Sequence, residues 1–375
     1  MDTQELRAWL RLTLTPGVGN ETARQLLATF GSAQAVFGQT TATLRALGSE
    51  RLAHAIQTEP AQLGNLLQTT LDWLQQADDR RIATLGDAAY PPALLNIEDP
   101  PLMLYMMGSL VKSSPAAGPA MANNLAIVGS RNPTPQGEVN ARQFAKALSG
   151  AGLCIVSGLA LGIDGAAHDG ALLGGGQTIA VVGTGLDRVY PKRHLALAHR
   201  ITQQGLLISE FPLGTPPLTG NFPKRNRIIS GLSRGTLVVE AALQSGSLIT
   251  ARLAAEQGKE VFAIPGSIHS PQSRGCHALI KQGAKLVEVA QDVLEELNLP
   301  HTGLTDSPNG ASGPQGPDAG DPLIAALGFD AVSLDALQAR TGLDTARLQA
   351  DLLELELRGQ VARLPGGLFQ RVAAG

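Results

Sequence analysis

Short apolar runs that alternate with helical stretches are the feature that most constrains the fold of this chain. The runs are rich in Val, Ile, Leu and Ala, and they occupy residues 125–128, 153–156, 178–182, 236–239 and 260–264. Continuous apolar runs are typical of strands that are buried on both faces of a sheet. Helical stretches separate them, at 139–148, 194–203 and 247–256. This alternation predicts an α/β core with a doubly wound parallel sheet, which binds ligands beyond the carboxyl ends of its strands.

The residues before this core predict a small all-α domain and a Pro-rich connector. Leucines recur at helical spacing up to about residue 80, which indicates short packed helices. Among them, Thr15–Asn20 resembles a helix-hairpin-helix turn, whose glycines would leave N–H groups free for DNA phosphates. A purely structural turn is the alternative, and the shortness of the motif favours it. In the connector, Tyr90–Pro92, Asp99–Pro101 and Ser113–Asn124 predict extended loops, and Leu102–Met107 predicts an edge strand.

The residues after the core predict a flexible linker and a small winged-helix domain. Residues 299–321 are rich in Pro, Gly, Ser and Asp, which is typical of a linker. Three helices follow, at Pro322–Leu327, from Ser333 and at Asp344–Leu357, and strands at 360–364 and 368–372 complete the pattern. The third helix of a winged helix usually binds DNA, but here acids outnumber arginines, so we favour a protein-interaction role. The predicted domains are 1–80, 81–298, the linker 299–321, and 322–375.

The predicted strands end in turns rich in glycine and small hydroxyl residues. These turns contain Gly129, Ser130 and Arg131; Ser157 and Gly158; Gly183–Gly185; and Ser245, Gly246 and Ser247. The first turn precedes a helix that opens near Thr134–Gly137, where free N–H groups beside Arg131 would form an anion site. Each turn alone is a weak indication, because strand–glycine turns are common packing devices. Together at one sheet edge they could hold the phosphates of a polymer or of one nucleotide.

A local basic stretch is the sharpest charge feature of the chain. The net charge is −3, so any basic footprint must be local. Residues 219–235 contain four cations and no acid, with an aromatic ring beside them. Cations beside an aromatic face suit single-stranded nucleic acid, while a solvated charged loop is the alternative. The candidate DNA-binding residues of this stretch are Phe222, Lys224, Arg225, Asn226 and Arg227.

Other chemistries find little support in the residues. Asp164 and His168 stand four apart and could form an acid/base pair or half a metal site, but we favour a structural or ligand-positioning role, with Asp164 as a helix cap. Gly183–Arg188 has only two of the three dinucleotide-fingerprint glycines. Two cysteines occur without a CxxC pair, and Cys154 predicts a buried core thiol. We therefore expect no catalytic residue, no metal, no cofactor and no membrane segment, in a cytoplasmic protein.

An ordered set of motifs resembles the DprA/Smf (DNA-processing protein A) family. The motifs are Ala126–Arg131, Ser157–Ala160, Gly162–His168, Gly176–Gly185, Tyr190–Pro191, Ser209–Glu210, Phe222–Gly231, Val239–Ala241, Ser245–Thr250 and Gln257–Gly266. They cover essentially the whole predicted core. The helical domain, of SAM or helix-hairpin-helix type, and the winged helix also resemble accessory domains of that family.

The resemblance implies a Rossmann-like core that binds single-stranded DNA, and duplex DNA more weakly, as a homodimer. It implies a non-enzymatic mediator that protects incoming DNA and delivers it to a RecA-type recombinase in natural transformation. Gly129, Ser130 and Arg131 would match the family's phosphate-binding turn. His194 and His277 depart from the family, which commonly has asparagine at these positions. The alternative is a nucleotide enzyme similar to the lysine-decarboxylase-like phosphoribohydrolases, in which Glu240 would be the active glutamate.

Overall fold

The structure is a computed structural model that describes residues 1–113, 123–299, 322–328 and 331–372. The N-terminal helices are α1 (Thr3–Leu14), α2 (Asn20–Phe30), α3 (Ala33–Phe37), α4 (Thr41–Leu47), α5 (Glu50–Gln57) and α6 (Leu63–Gln75). The side chains of Asp2, Ser32, Thr40 and Ser49 cap the first turns of α1, α3, α4 and α5. Leucines at helical spacing, such as Leu10, pack these helices into one apolar cluster, so the predicted all-α domain is confirmed.

The core is one sheet, which nine strands of the described residues form. They are β1 (Arg80–Thr84), β2 (Met103–Met107), β3 (Asn124–Val128), β4 (Cys154–Ser157), β5 (Thr178–Val181), β6 (Leu206–Ser209), β7 (Gly235–Val238), β8 (Glu260–Ala263) and β9 (Lys285–Leu286). The order is β1-β2-β6-β5-β4-β3-β7-β8-β9. Strands β3 to β9 pair in parallel, whereas β1 and β2 are antiparallel. Strands β4, β5 and β6 lie on one side of β3, whereas β7, β8 and β9 lie on its other side. The strand order therefore reverses between β3 and β7, and sheets of this kind bind ligands in the crevice at that point.

Helices cover both faces of the sheet, which confirms the doubly wound, Rossmann-like fold. They are α7 (Ser109–Ser113), α8 (Pro135–Gly150), α9 (Ile163–Leu173), α10 (Leu195–Gln204), α11 (Asn221–Leu232), α12 (Ser247–Glu256), α13 (Arg274–Lys281) and α14 (Ala290–Glu296). Leu125 and Ile127 of β3 face α8, α9 and α14, whereas Ala126 and Val128 face α11 and α12. The N-terminal helices share a cluster with Tyr105 and other residues of the β2–β6–β5 half.

Several local predictions were wrong. Leu102–Met107 is not an edge strand, because β2 lies between β1 and β6. Strand β1 was not predicted, because it begins with two arginines and so does not form a continuous apolar run. The predicted loop around Tyr90–Pro92 runs into a 3-10 helix at Pro92–Asn96. Of the loop predicted at Ser113–Asn124, the ends belong to α7 and β3, and residues 114–122 lie outside the described residues. A solvated loop, which was the alternative for the basic stretch Phe222–Arg227, is excluded because the stretch is part of α11.

The C-terminal domain is the predicted winged helix. Its elements are α15 (Pro322–Leu327), β10 (Val332–Ser333), α16 (Leu334–Thr341), α17 (Thr345–Leu357), β11 (Val361–Leu364) and β12 (Leu368–Arg371). Ser333 caps α16, and Gly342 ends it with a left-handed φ of 69° that favours glycine. Of the predicted linker 299–321, residues 300–321 lie outside the described residues. Along the described ranges, every helix is too short or too polar to cross a membrane.

Candidate nucleic-acid interface

A groove of about 640 Å³ opens at the carboxyl edge of the sheet, over the crevice between β3 and β7. Two of the predicted strand-end turns, 129–131 and 245–247, and the N-terminal half of α11 surround it. The residues that line it include Gly129, Ser130, Arg131, Ala160, Asp164, Tyr190, Phe222, Arg225, Asn226, Ser245, Gly246 and Ser247. The topology thus brings together residues that lie more than 100 positions apart in the chain.

The turn after β3 presents Arg131 to the groove. The amide of Ser130 donates to the carbonyl of Glu240 at 2.7 Å, and its hydroxyl accepts from the amide of Asn132 at 3.1 Å. Gly129 has no space for a side chain, because a Cβ there would meet Ile163 and the Glu240 carbonyl. The exposed guanidinium of Arg131 lies 5.6 Å from the centre of the Phe222 ring. The turn is therefore rigid, and its free functional group is the Arg131 side chain.

The helix that follows this turn does not offer the free anion site that we predicted. The Glu240 carboxylate already occupies the start of α8, where it accepts from the amide and the hydroxyl of Thr134 at 2.9 and 2.6 Å. Gly137 makes room for it, since a Cβ there would collide with the carboxylate. Burial raises the pKa of Glu240, and the two bonds from Thr134 act in the opposite direction. An internal carboxylate therefore takes the place that a phosphate would take.

The turn after β4 lies beneath the groove rather than in its wall. The buried hydroxyl of Ser157 donates to the carbonyl of Ile127 at 2.6 Å. Leu159 adopts a left-handed φ of 59°, which is strained for leucine. The amides of Gly158 and Ala160 then donate to Oδ2 of Asp164, at 3.1 and 3.3 Å. Asp164 was expected to cap its own helix, but Gly162 is the N-cap of α9 and the carboxylate holds this turn instead.

Arg225 forms the floor of the groove and is only 4% exposed. Its Nη1 donates to the carbonyl of Val181 at 2.7 Å, and its Nε is buried without a partner among the described residues. Burial lowers the pKa of Arg225 to about 10, and the nearby charge of Asp164 acts in the opposite direction. Arg225 therefore remains a cation at neutral pH. A Cβ on Gly158 would overlap its guanidinium, so this glycine is needed for the close approach.

The basic stretch splits between two sides of α11. Phe222, Arg225 and Asn226 line the groove, as their helical spacing allows. Arg227 points elsewhere and pairs with Glu210 at 2.5 Å and Asp99 at 3.0 Å. Lys224 is exposed and makes no hydrogen bond or ion pair with the part of the chain that the structure describes. Arg131 and Lys224 are thus the cations of the predicted set that are exposed for a ligand.

An aromatic pair stands at the rim of the groove. The Tyr190 and Phe222 ring centres are 5.8 Å apart with planes inclined by 38°, and Tyr190 is 48% exposed. Tyr190 was missed as a site residue, as were the exposed cations Lys192 and Arg193 beside it. The signal was available in the Tyr-Pro-Lys-Arg sequence, which places an aromatic ring beside two cations. The structure adds that this segment meets Phe222 of the basic stretch.

The turn after β7 completes the groove. The hydroxyls of Ser245 and Ser247 are 2.7 Å apart, and Nδ2 of Asn226 donates to the carbonyl of Gly246 at 3.4 Å. Gly246 is the N-cap of α12 and supplies no side-chain cap. The first-turn amides of this helix are bonded within the turn, because that of Ser247 donates to Oγ of Ser245 at 3.3 Å and those of Leu248 and Ile249 donate to the carbonyls of Ser245 and Gly246. The groups that this turn presents to the groove are therefore the two serine hydroxyls.

Asp164 and His168 do not form a pair. Nδ1 of His168 lies 2.7 Å from Oγ1 of Thr178, which itself donates to the carbonyl of Ile155, so His168 is the donor. Burial lowers the pKa of His168 to about 3, and the ring is neutral. Within the described ranges, no group of three or more His, Cys, Asp or Glu side chains is placed to hold a metal ion. Both are buried residues of α9: Asp164 holds the turn after β4, and His168 bonds the helix to Thr178 of β5.

Comparisons with known proteins agree along the chain. Residues 81–298 match the family model described as DNA recombination-mediator protein A. Residues 3–60 match a DprA-like N-terminal HHH domain, and residues 307–367 match a DprA winged helix domain. The chain is 46% identical to Protein Smf of Escherichia coli (strain K12) over 306 residues, which cover 80% of each chain. It is 49% identical to DNA processing protein DprA of Streptococcus pneumoniae over 211 residues, 56% of this chain and 72% of that protein.

Solved structures show the same relationship. The X-ray structure of DNA processing protein A from Streptococcus pneumoniae matches with a TM-score of 0.66 and 37% identity, over 79% of this chain and 98% of that chain. A structure of DNA processing protein A from Helicobacter pylori, described by its single-stranded DNA binding mode, matches with a TM-score of 0.51 and 32% identity. That match covers 58% of this chain and 96% of the other.

Proposed function

The chain belongs to the DprA/Smf family of DNA recombination mediators, and from this premise we propose that its groove binds single-stranded DNA for delivery to a recombinase. The role of the family is DNA processing in recombination. The groove lies within the family's Rossmann-like core, between the carboxyl edge of the sheet and α11. Single-stranded DNA is the polymer that the Helicobacter pylori relative binds, which supports the same ligand here.

The observation that carries the proposal is the placement of Arg131 over the Phe222 ring, with Tyr190 beside it. A cation next to two aromatic rings can hold a phosphate while a base rests on an aromatic face. Stacking of this kind contributes about 1–3 kcal/mol per base. The bases of a duplex are already stacked on each other, so this arrangement favours single strands and leaves duplex DNA the weaker ligand.

The predicted site residues take different roles under this proposal. The side chains that would contact DNA are Arg131, Phe222, Lys224, Asn226, Ser245 and Ser247, with the backbone of Gly246. Ser130, Ser157 and Gly158 shape the turns, because their polar groups are bonded within the chain. Gly129 does so by leaving room for Ile163 and the Glu240 carbonyl. Arg225 adds positive charge from the floor of the groove. Arg227 holds α11 through its two carboxylate partners.

A titration with a labelled oligonucleotide tests this function. The full chain is added to single-stranded DNA at several salt concentrations, with duplex DNA as a competitor. We expect binding that prefers single strands and weakens with salt, with a slope of about −0.7 per phosphate neutralised. Arg131→Ala should reduce the magnitude of the slope by about 0.7. Lys281→Ala is the matched control, since Lys281 ends the helix that leads into β9 and so lies at the opposite edge of the sheet. The proposal would be refuted if the full chain failed to bind the oligonucleotide at low salt.

We also propose that the protein acts as a homodimer, delivers DNA to a RecA-type recombinase, and works in the cytoplasm. Family membership supports the recombinase and the dimer. Both cysteines are free thiols, as is usual in a reducing compartment. Light scattering of the full chain should give twice the mass of the monomer, and a monomer at micromolar concentration would contradict the dimer.

We propose that the protein is not an enzyme of the phosphoribohydrolase type. Glu240, the glutamate on which that alternative depends, is bonded to Thr134 and fills the start of α8. A carboxylate with these partners is not available to a nucleotide. Incubation with nucleoside monophosphates should therefore release no free base, and release that depends on Glu240 would overturn this part of the proposal.

A further inference from the structure

Two carboxylates lie between the N-terminal helical domain and the helix that carries the basic stretch. They are Asp99 in the connector and Glu210 directly after β6. From the N-terminal domain, Nδ2 of Asn20 donates to both carboxylates at 3.2 Å, and Nη1 of Arg24 pairs with Asp99 at 2.9 Å. The helix α2, which follows the helix-hairpin-helix turn, is thus tied to the core by side-chain bonds.

The same two carboxylates are held from the other side by Arg227 of α11. Its Nε pairs with Asp99 at 3.0 Å and its Nη2 with Glu210 at 2.5 Å. The side chains of Arg227 and Glu210 are only 13% and 16% exposed, so salt screens this pair little. Nη1 of Arg227 is buried without a partner among the described residues, so removal of a carboxylate would leave more of a buried charge unpaired.

Fixing Arg227 fixes the rotation of α11 about its axis. Asn226, one residue earlier, lines the groove, so a turn of the helix would move it and Phe222 relative to Arg131. The far end of α11 is also held, because Nζ of Lys259 donates to the carbonyls of Ser230 and Gly231 at 2.7 and 2.6 Å. At the end nearer the groove, Nδ2 of Asn221 donates to the carbonyl of Gly183 at 3.0 Å and Arg225 is bonded to Val181. The bonds of Arg227 to Asp99 and Glu210 add a hold on this end from the side of the N-terminal domain.

The neighbours of the helix-hairpin-helix turn disfavour direct contact with phosphates. Glu21 lies in the first turn of α2, and Asp99 and Glu210 are bonded to Asn20 at its start. Arg24 and Arg227 compensate these two carboxylates, but residues 15–20 of the turn contain no cation and the exposed Glu21 would repel a DNA backbone. We propose that the N-terminal domain does not contact DNA but positions α11 for DNA binding, through Asn20, Arg24 and the two carboxylates they share with Arg227. This inference rests on the proposed function.

The direction in which Glu210→Gln changes the affinity for DNA separates positioning of α11 from simple electrostatics. Glu210→Gln removes a negative charge behind a DNA-binding helix, which by Coulomb attraction alone would tighten binding. Positioning predicts weaker binding, by about fivefold to tenfold, as is typical of coupling between residues in contact. Arg24→Ala should weaken binding similarly without changing the salt slope. The matched controls are Glu59→Gln and Arg7→Ala, which break an ion pair within the N-terminal domain alone and should leave affinity unchanged.

Hydrogen exchange without DNA provides a second measurement. In the full chain, Glu210→Gln should accelerate exchange of the amides of 221–232 relative to those of α12, and Glu59→Gln should not. Unchanged or tighter binding by Glu210→Gln would overturn the inference. A fall of about 0.7 in the salt slope of Arg24→Ala would also overturn it, since the hairpin would then contact a phosphate. If the unmodified chain bound no DNA, the proposed function would fail, and the exchange result alone would decide whether the network holds α11.

Discussion

At the scale of single residues, the site depends on buried polar groups whose partners are distant in sequence. Glu240 is bonded to Thr134, 106 positions away, and Arg225 is bonded to Val181, 44 positions away. The sequence marks these residues as candidates by type and motif. It does not reveal that Glu240 fills the helix start beside Arg131, because that contact exists only after β3 and β7 pair. For the same reason Arg227 could be predicted as a cation but not as an internal one.

His168 makes the stability of the fold dependent on pH. Its folded-state pKa of about 3 lies below the ordinary value near 6.5 because it is buried, so below pH 6.5 protons bind preferentially to the unfolded chain. The stability that neutral His168 contributes is present above pH 6.5 and is lost as the pH falls toward 3. Between pH 7 and pH 5 we expect a loss of about 2 kcal/mol.

The variant His168→Asn isolates this effect, because its amide can still donate to Thr178 but does not titrate. Urea unfolding at both pH values should show the drop in free energy of unfolding for the unmodified chain and a drop smaller by about 2 kcal/mol for the variant. Equal drops in the two proteins would show that His168 does not carry the pH dependence.

At the scale of elements, the sequence predicts those whose apolar pattern is long and uninterrupted. Strands β3, β4, β5, β7 and β8 appear as apolar runs, and the winged-helix elements follow from their caps and glycines. Strand β9 has only two residues, both exposed, so no apolar run marks it. Helix α11 was not predicted because Pro223 and four polar residues interrupt its apolar periodicity; packing of Ile228 and Ile229 against the sheet stabilises it instead.

The close packing of α8 against α9 requires a glycine. A Cβ on Gly170 of α9 would overlap the backbone carbonyl of Arg142 of α8, which cannot move aside as a side chain can. Gly170→Ala should therefore lower the free energy of unfolding by about 1–3 kcal/mol. Gly64→Ala is the control in another helix, since open space surrounds Gly64, and it should be neutral or stabilising by up to about 1 kcal/mol. Thermal unfolding of both variants measures the difference, and equal shifts would contradict the packing account.

At the scale of the whole molecule, the groove that we propose for DNA lies within the core domain. The net charge of the chain is negative, and the groove is lined by two cations, Arg131 and Arg225, and by the single acid Asp164. The motif order predicts the family and the fold, because several of the motifs, such as 126–131 and 245–250, lie where a strand or its following turn meets the carboxyl edge of the sheet. How the N-terminal domain is tied to α11 could not be predicted, because Asn20, Asp99 and Glu210 carry no motif in common.

The winged-helix domain should add little to binding of single-stranded DNA. Arg347 and Arg358 are paired with Asp351 and Glu354 along α17, so their charges are largely compensated. Changing both arginines to alanine in the full chain should leave the affinity and the salt slope unchanged. A slope reduced by about 1.4, equivalent to two phosphate contacts, would instead show that α17 binds DNA.

Photochemical cross-linking tests the central claim, that the groove at the carboxyl edge of the sheet holds single-stranded DNA, most directly. An oligonucleotide that carries iodouracil, which cross-links to stacked aromatic side chains, is irradiated with the full chain, and the modified peptides are mapped by mass spectrometry. We predict adducts on Tyr190 and Phe222, which Phe222→Leu reduces at both positions because the ring pair is lost. Adducts confined to the N-terminal helices or the winged helix, with none on Tyr190 or Phe222, would contradict the account.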